Sequence, residues 1–397
     1  MVPPHVPAQQ VIPYDLLRAS GEHDDPFIVM NSLRERGRVL YTPVHFSSAV
    51  GAWVLTRAED IRYVLQNPQL FSSRGVSGFS KLLGESWDMI PLELDPPRHS
   101  AFRAILNPLM APARILKLQD QIRASCIELI ETMRKGKDCD FMTAFARPFP
   151  VRIFLHLMGL PQELFDQFLK WNGALLFSDS LQERVAAAAA IRDYLRGLIA
   201  QRKQTPVDDF VSAAVRAQIG GEAITDDEIL GICYLLFVGG LDTVAASLGF
   251  YFRYLAGHPE QQRRLRENPT LIPDAVEELL RVYSVVMVSR FVTQDLELAG
   301  VQMKRGDCIA IYTTFASFDP LDTAEPERVD FGRSPNRHIA FSYGPHRCLG
   351  SHLARRELVI ALQECLQRLP EFHLAQGQDV TMHGGVVFSV DRLPIAW

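Results

Sequence analysis

No C-x-x-C pair occurs in this sequence: its six cysteines, Cys126, Cys139, Cys233, Cys308, Cys348 and Cys365, are scattered. That spacing fits neither a disulfide framework nor a zinc ribbon, and it points to reduced thiols in a cytoplasmic setting. A basic excess is also missing. The formal charge of −5 argues against a general nucleic-acid binder, while leaving room for a local basic patch that meets an acidic partner. Repeats, low-complexity tracts and Gly/Ser linkers are absent, so all of 1–397 is expected to form one domain, at a length where two are the usual prior. The opening MVPPHVPAQQVIPYDLL has neither the basic start nor the apolar run of an export signal, and export is not expected.

Long apolar runs are rare, with one exception. From Ile229 to Phe252 the only charged residue is Asp242. A membrane span of that composition would bury an aspartate at mid-depth, at about 2.5–3.5 kcal/mol on insertion scales. Gly239-Gly240 would weaken it further, and no basic cluster sets an orientation. A helix buried all round inside a helical protein explains the same pattern, and no membrane association is expected.

Elsewhere the periodicities predict a mainly α protein with small β-sheets. Alternating residues near Val39–Val44 and Ala52–Thr56 predict a hairpin, and a similar pattern recurs at Phe291–Leu298 and Cys308–Tyr312. The β-rich portion is thus mostly N-terminal plus residues 290–313, with helices in the remainder. Helical spacing covers Ala113–Arg134, Glu183–Gln204, Thr225–Ala256, Pro273–Tyr283 and Ser351–Leu369. Thr225-x-x-Glu228 is a capping box. The helix that it starts would run roughly 48 Å at about 1.5 Å per residue, with Asp242 at mid-span.

The segment Phe341-Ser-Tyr-Gly344-Pro-His346-Arg347-Cys348-Leu-Gly350 has the pattern F-x-x-G-x-x-x-C-x-G. Its glycines permit a tight loop and close backbone approach to a flat cofactor. Its cysteine precedes a helix whose N-terminal amides favour a thiolate. An isolated cysteine at a helix start is usually just buried, and a zinc site of His346, Cys348 and His352 matches no usual spacing. A cysteine nucleophile with His346 or His352 as base would leave the remaining motifs unexplained.

With these residues in place the chain resembles the cytochrome P-450 superfamily along nearly its whole length. Glu278-Leu-Leu-Arg281 is similar to the family's E-x-x-R, and Pro326-x-x-x-x-Phe331-x-Arg333 to the loop that this pair braces. Gly239-Gly240-Leu241-Asp242-Thr243 resembles the oxygen-activating stretch of the long central helix. The resemblance implies a triangular, helix-rich domain that binds haem b, with Cys348 as axial ligand of the iron. It implies that Asp242 and Thr243 serve catalysis, Asp242 by relaying protons, in a helix that the glycines let open locally. O2 is the implied co-substrate, and one oxygen atom is inserted into a C–H bond. A non-catalytic haem sensor would need Cys348 without the acid–alcohol pair.

LLFVGGLDTV, DPPRHSAFRA, RPFPVRIFLHLMGLP and CLGSHLARRE are similar to the bacterial camphor-hydroxylase group. That likeness implies that Arg103, Arg290 and His346 bind the haem propionates, joined by His99 unless it is a surface residue. Phe341, Gly344 and Gly350 would shape the cofactor loop. Val288 replaces an aspartate near a propionate. Trp87 stands where the camphor enzyme has its substrate-binding tyrosine, and Phe79, Leu235, Val238, Val286 and Val387 are further pocket candidates. This apolar set implies a terpenoid or norisoprenoid substrate in preference to camphor. Electrons would come from a [2Fe-2S] ferredoxin and its reductase, docking near Arg103 and Arg347 on a monomeric enzyme.

Overall fold

The computed structural model describes residues 2–12, 16 and 25–397. Part of the N-terminal stretch read for an export signal therefore lies outside the described residues. Helices dominate, with five small sheets among the described residues. The expected hairpin forms as Val39–Thr42 paired antiparallel with Ala52–Leu55. It is extended by Cys308–Tyr312, Met287–Val292 and Phe71–Ser72 into a five-stranded sheet.

Three sequence expectations are corrected. The Phe291–Leu298 pattern divides: the sheet strand begins earlier, at Met287, and Leu296–Leu298 pairs separately with Val301–Met303. At the boundary Thr293 leaves the ladder and donates its amide to Leu70. Ala113–Arg134 is two helices, Pro112–Leu116 and Gln119–Met133. Amide bonds from Lys117 to Arg114 and from Leu118 to Ile115 tighten the chain between them into i→i−3 turns. Strands also occur beyond residue 370, at His373–Leu374, Thr381–His383, Ser389–Arg392 and Pro394–Ala396. Elements of two to four residues carry too little alternation to register as strands.

The central helix spans Asp226–Ala256, about 47 Å at about 1.5 Å per residue. Its capping box is complete: Thr225 Oγ1 accepts from the Glu228 amide at 3.2 Å, and Glu228 Oε2 accepts from the Thr225 amide at 2.6 Å. It is long and apolar enough to cross a membrane, but most of its apolar stretch is packed inside the protein. Its first half, through Leu241, belongs to a core with Phe154, Phe168 and Leu195. From Val244 onward it belongs to a second core with the sheet and the Ser351–Arg368 helix. The two cores part at Gly239–Thr243, and the helix therefore spans the gap between them.

Close approach explains how that helix seats. A Cβ on Gly231 would lie 2.0 Å from the Asp88 carbonyl, and one on Gly249 would lie 2.8 Å from Met142 Sδ and 3.1 Å from Val390 Cβ. The backbone of loop 88–90 and the side chains of Met142 and Val390 thus rest directly on helix backbone.

Candidate active site

The gap between the two cores is a cavity of about 860 Å³, near the upper end of the roughly 300–1,000 Å³ usual for small-molecule sites. Gly239, Gly240, Asp242 and Thr243 line it from the central helix, and Phe341, Cys348 and Gly350 from the loop before the Ser351–Arg368 helix. Among the described residues Cys348 is the cysteine that lines it. Cys308 is buried in the sheet, with its sulfur 3.7 Å from His45 Nδ1.

The loop presents Cys348 by backbone bonds. The Cys348 amide donates to Phe341 O at 2.8 Å, and the Gly350 amide points at the sulfur. The sulfur is open to the cavity yet enclosed by the fold. Burial pushes its thiol upward in pKa, while the Gly350 amide and the guanidinium groups of Arg103, Arg355 and Arg347 pull the other way. These are the groups that a thiolate donating to a metal requires around it. His346, Cys348 and His352 form no metal cluster, since no group of three His, Cys, Asp or Glu among the described residues is placed to hold an ion.

Gly344 does not line the cavity, contrary to the expectation that it shapes the cofactor face. It sits at φ +69°, where a Cβ would come 2.4 Å from the Leu65 carbonyl. Its work is to let the loop pass against the Ala58–Gln66 helix.

At another edge of the cavity four basic side chains converge. Arg290, Arg103, His99 and His346 all line it, and the two imidazole rings lie 4.0 Å apart. His99 is buried, not a surface residue, and neither of its ring nitrogens has a hydrogen-bond partner. Burial, helped by Arg103 and Arg290, holds it down at about 4. Burial and the same arginines, with His99, hold His346 at about 2, and burial lowers Arg290 to about 10. Arg290 Nη1 donates to Ser289 O at 2.7 Å and Arg103 Nη1 to Arg347 O at 2.9 Å. Neither arginine has an ion-pair partner among the described residues. The buried Arg290 cation and the orphaned His99 imidazole are costly unless an anion joins them, and the half-buried Arg103 adds a second charge beside them. The chemistry of this donor set therefore fits the carboxylates of a haem, which these four residues would hold while Cys348 would hold its iron. Val288 lines the same cavity without contributing a polar atom.

Along the same cavity, the central helix is continuous α-helix through Gly239–Thr243, so the expected local opening is absent. Thr243 Oγ1 donates to Gly239 O at 2.9 Å and closes the turn where it would part. The glycines act by leaving space: both are exposed to the cavity, and a Cβ on Gly240 would touch nothing within 4 Å. Asp242 Oδ1 is buried without a hydrogen-bond partner. Burial raises its carboxyl to about 6, against the pull of His383 and Arg147.

Phe79, Leu235, Val238, Val286 and Val387 line the cavity as expected. Trp87 does not. It is buried against Tyr234, with ring centroids 4.9 Å apart, and its Nε1 donates to Glu85 at 2.5 Å. Glu85 also accepts from Arg192 at 2.8 Å and from Arg196 at 3.1 Å, both on the Leu181–Gln204 helix. The indole therefore holds its loop against that helix and does not face the cavity. Sequence reasoning passed over His383, which lines the cavity from the unrecognised C-terminal hairpin.

The brace is as expected. Arg281 donates to Glu278 at 2.9 and 2.8 Å, and to the carbonyls of Pro326 at 2.7 Å and Ser317 at 3.1 Å. Glu278 accepts in addition from the Asp330 amide, Arg333 Nε and Asn336 Nδ2.

Comparison with known proteins agrees with this geometry. Residues 151–389 match the Cytochrome P450 family. The chain is 40% identical over 402 residues to "Probable cytochrome P450 127A1" of Sinorhizobium fredii (strain NBRC 101917 / NGR234), covering 100% of this chain and 97% of that one. The crystal structure of cytochrome P450 CYP101C1 superposes with a TM-score of 0.90 at 34% identity, over 100% of both chains. That of CYP101J2 also gives 0.90, at 32% identity, over 100% of this chain and 99% of the other. The chain belongs to the cytochrome P450 family of monooxygenases, which work with haem b and O2.

Proposed function

We propose that this enzyme hydroxylates a small, mostly hydrocarbon terpenoid or norisoprenoid, with electrons supplied by a [2Fe-2S] ferredoxin. The observation that carries this reading is the division of one cavity into a sulfur side, a cationic edge and an apolar side. When bound, haem supplies O2 activation and insertion of one oxygen atom into a C–H bond, consuming two electrons and two protons.

Cys348 would hold the iron, and the Gly350 amide and nearby guanidinium groups would tune its charge. Arg103, Arg290, His99 and His346 hold the propionates. Phe79, Leu235, Val238, Val286 and Val387 orient the substrate by shape and exclude water from it. Asp242 is the proton donor: burial raises its carboxyl to about 6, closer to neutrality than an ordinary carboxylate, so it takes up a proton at less cost and releases it again. Thr243 faces the cavity one residue on, where its hydroxyl can pass that proton inward. An acid kept buried without a partner has no value to a passive haem sensor, and this favours the enzyme.

Six free cysteines fit a cytoplasmic setting. Arg347 is exposed beside the Cys348 loop, which suits the approach of an acidic ferredoxin to that side.

Titration of the holoenzyme with a panel of terpenoids and norisoprenoids, read by the haem spin-state shift, tests the substrate class. An ionone or cineole is expected to shift the spin state more completely than camphor. Equal conversion by camphor contradicts the reading.

A further inference from the structure

Asp242 is enclosed, so a proton has to reach it from outside, and the C-terminal hairpin offers a route. Thr381–His383 pairs antiparallel with Ser389–Arg392, and this hairpin rests on the central helix at Gly249, as described above. Its register slips: Thr381 faces Arg392 while Met382 faces Val390, which leaves Asp391 as the extra residue of a β-bulge. Such bulges re-aim side chains beside active sites. Here Asp391 Oδ1 meets His383 Nδ1 at 2.8 Å.

That contact commits one nitrogen of the ring and leaves Nε2 as the other. Asp391 is absent from the cavity lining and is 39% exposed at its side chain, so the pair meets solvent through Asp391. Yet His383 and the adjoining Gly384 and Gly385 also line the cavity that holds Asp242. The imidazole thus forms part of a wall between solvent and the active site.

The charged groups that act on this pair come from three elements. Asp242 interacts electrostatically with His383, Arg147 and Asp391. Arg147 donates from Nη2 to the Asp391 carbonyl at 2.9 Å, and its guanidinium lies over the Phe177 ring at 4.9 Å. It fastens the bulge without occupying the Asp242 carboxylate. Burial disfavours the imidazolium, but Asp391 and Asp242 outweigh it and raise His383 above its ordinary value.

We propose that His383 is the proton-entry residue of this enzyme, passing protons from solvent to Asp242 through Nε2 while Asp391 holds the ring by Nδ1. The step moves one proton and no electrons. The Nε2–H bond of the imidazolium breaks and the Asp242 carboxylate becomes the acid; the neutral ring, still Nδ1–H against Asp391, is then reprotonated at Nε2 by a hydronium ion from solvent, which leaves as water. His383 acts through Asp242 and is a positioning residue in that sense. The inference rests on the reading of Asp242 as proton donor.

The test uses holoenzyme of the wild type and of His383→Gln, Asp391→Asn and Asp242→Asn. His383→Gln is expected to lower product turnover about tenfold, within reach of a positioned proton-transfer group, and to raise the solvent deuterium isotope effect. The substrate-induced spin shift should stay at the wild-type level. Turnover of the wild type should fall as pH rises through the raised histidine value, and His383→Gln should lose that limb. Asp391→Asn should move the same quantities in the same direction, by less. Independently of activity, NMR titration of the His383 ring in the diamagnetic ferrous–CO form should give a lower pKa in Asp242→Asn than in the wild type. Wild-type turnover and isotope effect in His383→Gln, or an unmoved ring titration in Asp242→Asn, overturns the proposal. A holoenzyme without the thiolate-type CO spectrum counts against the proposed function instead, and the ring titration still tests the His383–Asp242 pairing.

Discussion

Glu278 and Arg281 face each other one helical turn apart with both carboxylate oxygens and three guanidinium nitrogens engaged, each side chain only 1% exposed. Their remaining bonds go to Ser317, Pro326, Arg328, Asp330, Arg333 and Asn336, on the chain that leads toward the Cys348 loop. An ion pair of this kind contributes through what it ties together.

Truncation of one partner leaves the other charge buried and alone, which costs about 3–5 kcal/mol. Glu278→Ala is therefore expected to lower the denaturation midpoint sharply and to yield protein with little haem. Chemical denaturation together with the haem-to-protein absorbance ratio checks this. A variant of near wild-type stability would show the pair to be dispensable.

Gly344 and Gly78 share a left-handed backbone, at φ +69° and +70°, but differ in surroundings. A Cβ on Gly78 meets nothing within 4 Å, whereas one on Gly344 meets Leu65 O at 2.4 Å. Gly78→Ala should cost only about 1–2 kcal/mol of backbone strain. Gly344→Ala should cost more and displace the cysteine loop, seen as a lower melting temperature and weaker haem retention.

How far these features could be read in advance depended on how local their causes are. The capping box, the Glu278/Arg281 pair and the Cys348 loop each lie within a few residues of chain, and the local bonds of all three are present. Trp87 did not behave as its position implied, because its fate is set by Glu85 and by arginines about a hundred residues away on another helix. His383 was passed over for a similar reason: its strand is three residues long and gains its meaning only from a bulge and from packing on Gly249. Gly344 was seen as special, but the carbonyl that requires it belongs to a distant helix.

Trp87→Phe removes the N–H that binds Glu85 while leaving the cavity wall untouched. Substrate affinity is expected to change by no more than about threefold, roughly 0.6 kcal/mol. Val238→Phe, which adds bulk to a lining residue, should weaken the same ligand by tenfold or more. Spin-state titration of both variants checks the contrast, and reversed effects would return Trp87 to the substrate pocket.

Asp242 carries a stability penalty that its removal should reveal. Burial raises its carboxyl to about 6 from an ordinary 3.8, so the folded state binds the proton more tightly than the unfolded state. Stability then falls as pH rises from 3.8 through about 6, and the loss is complete at neutral pH. Asp242→Asn should be more stable than the wild type at pH 8, on the order of 1–2 kcal/mol, and turn over at least tenfold more slowly. Denaturation midpoints across that pH range, with turnover measured alongside, check both halves.

The most direct measurement of the central claim is the spectrum of the reduced CO complex for the wild type, Cys348→Ser and Cys308→Ser. The wild type and Cys308→Ser should show the red-shifted Soret band of thiolate ligation, and Cys348→Ser should lose it. Retention of that band in Cys348→Ser, or its absence from the wild type, would contradict the assignment of Cys348 as the residue that holds the haem iron.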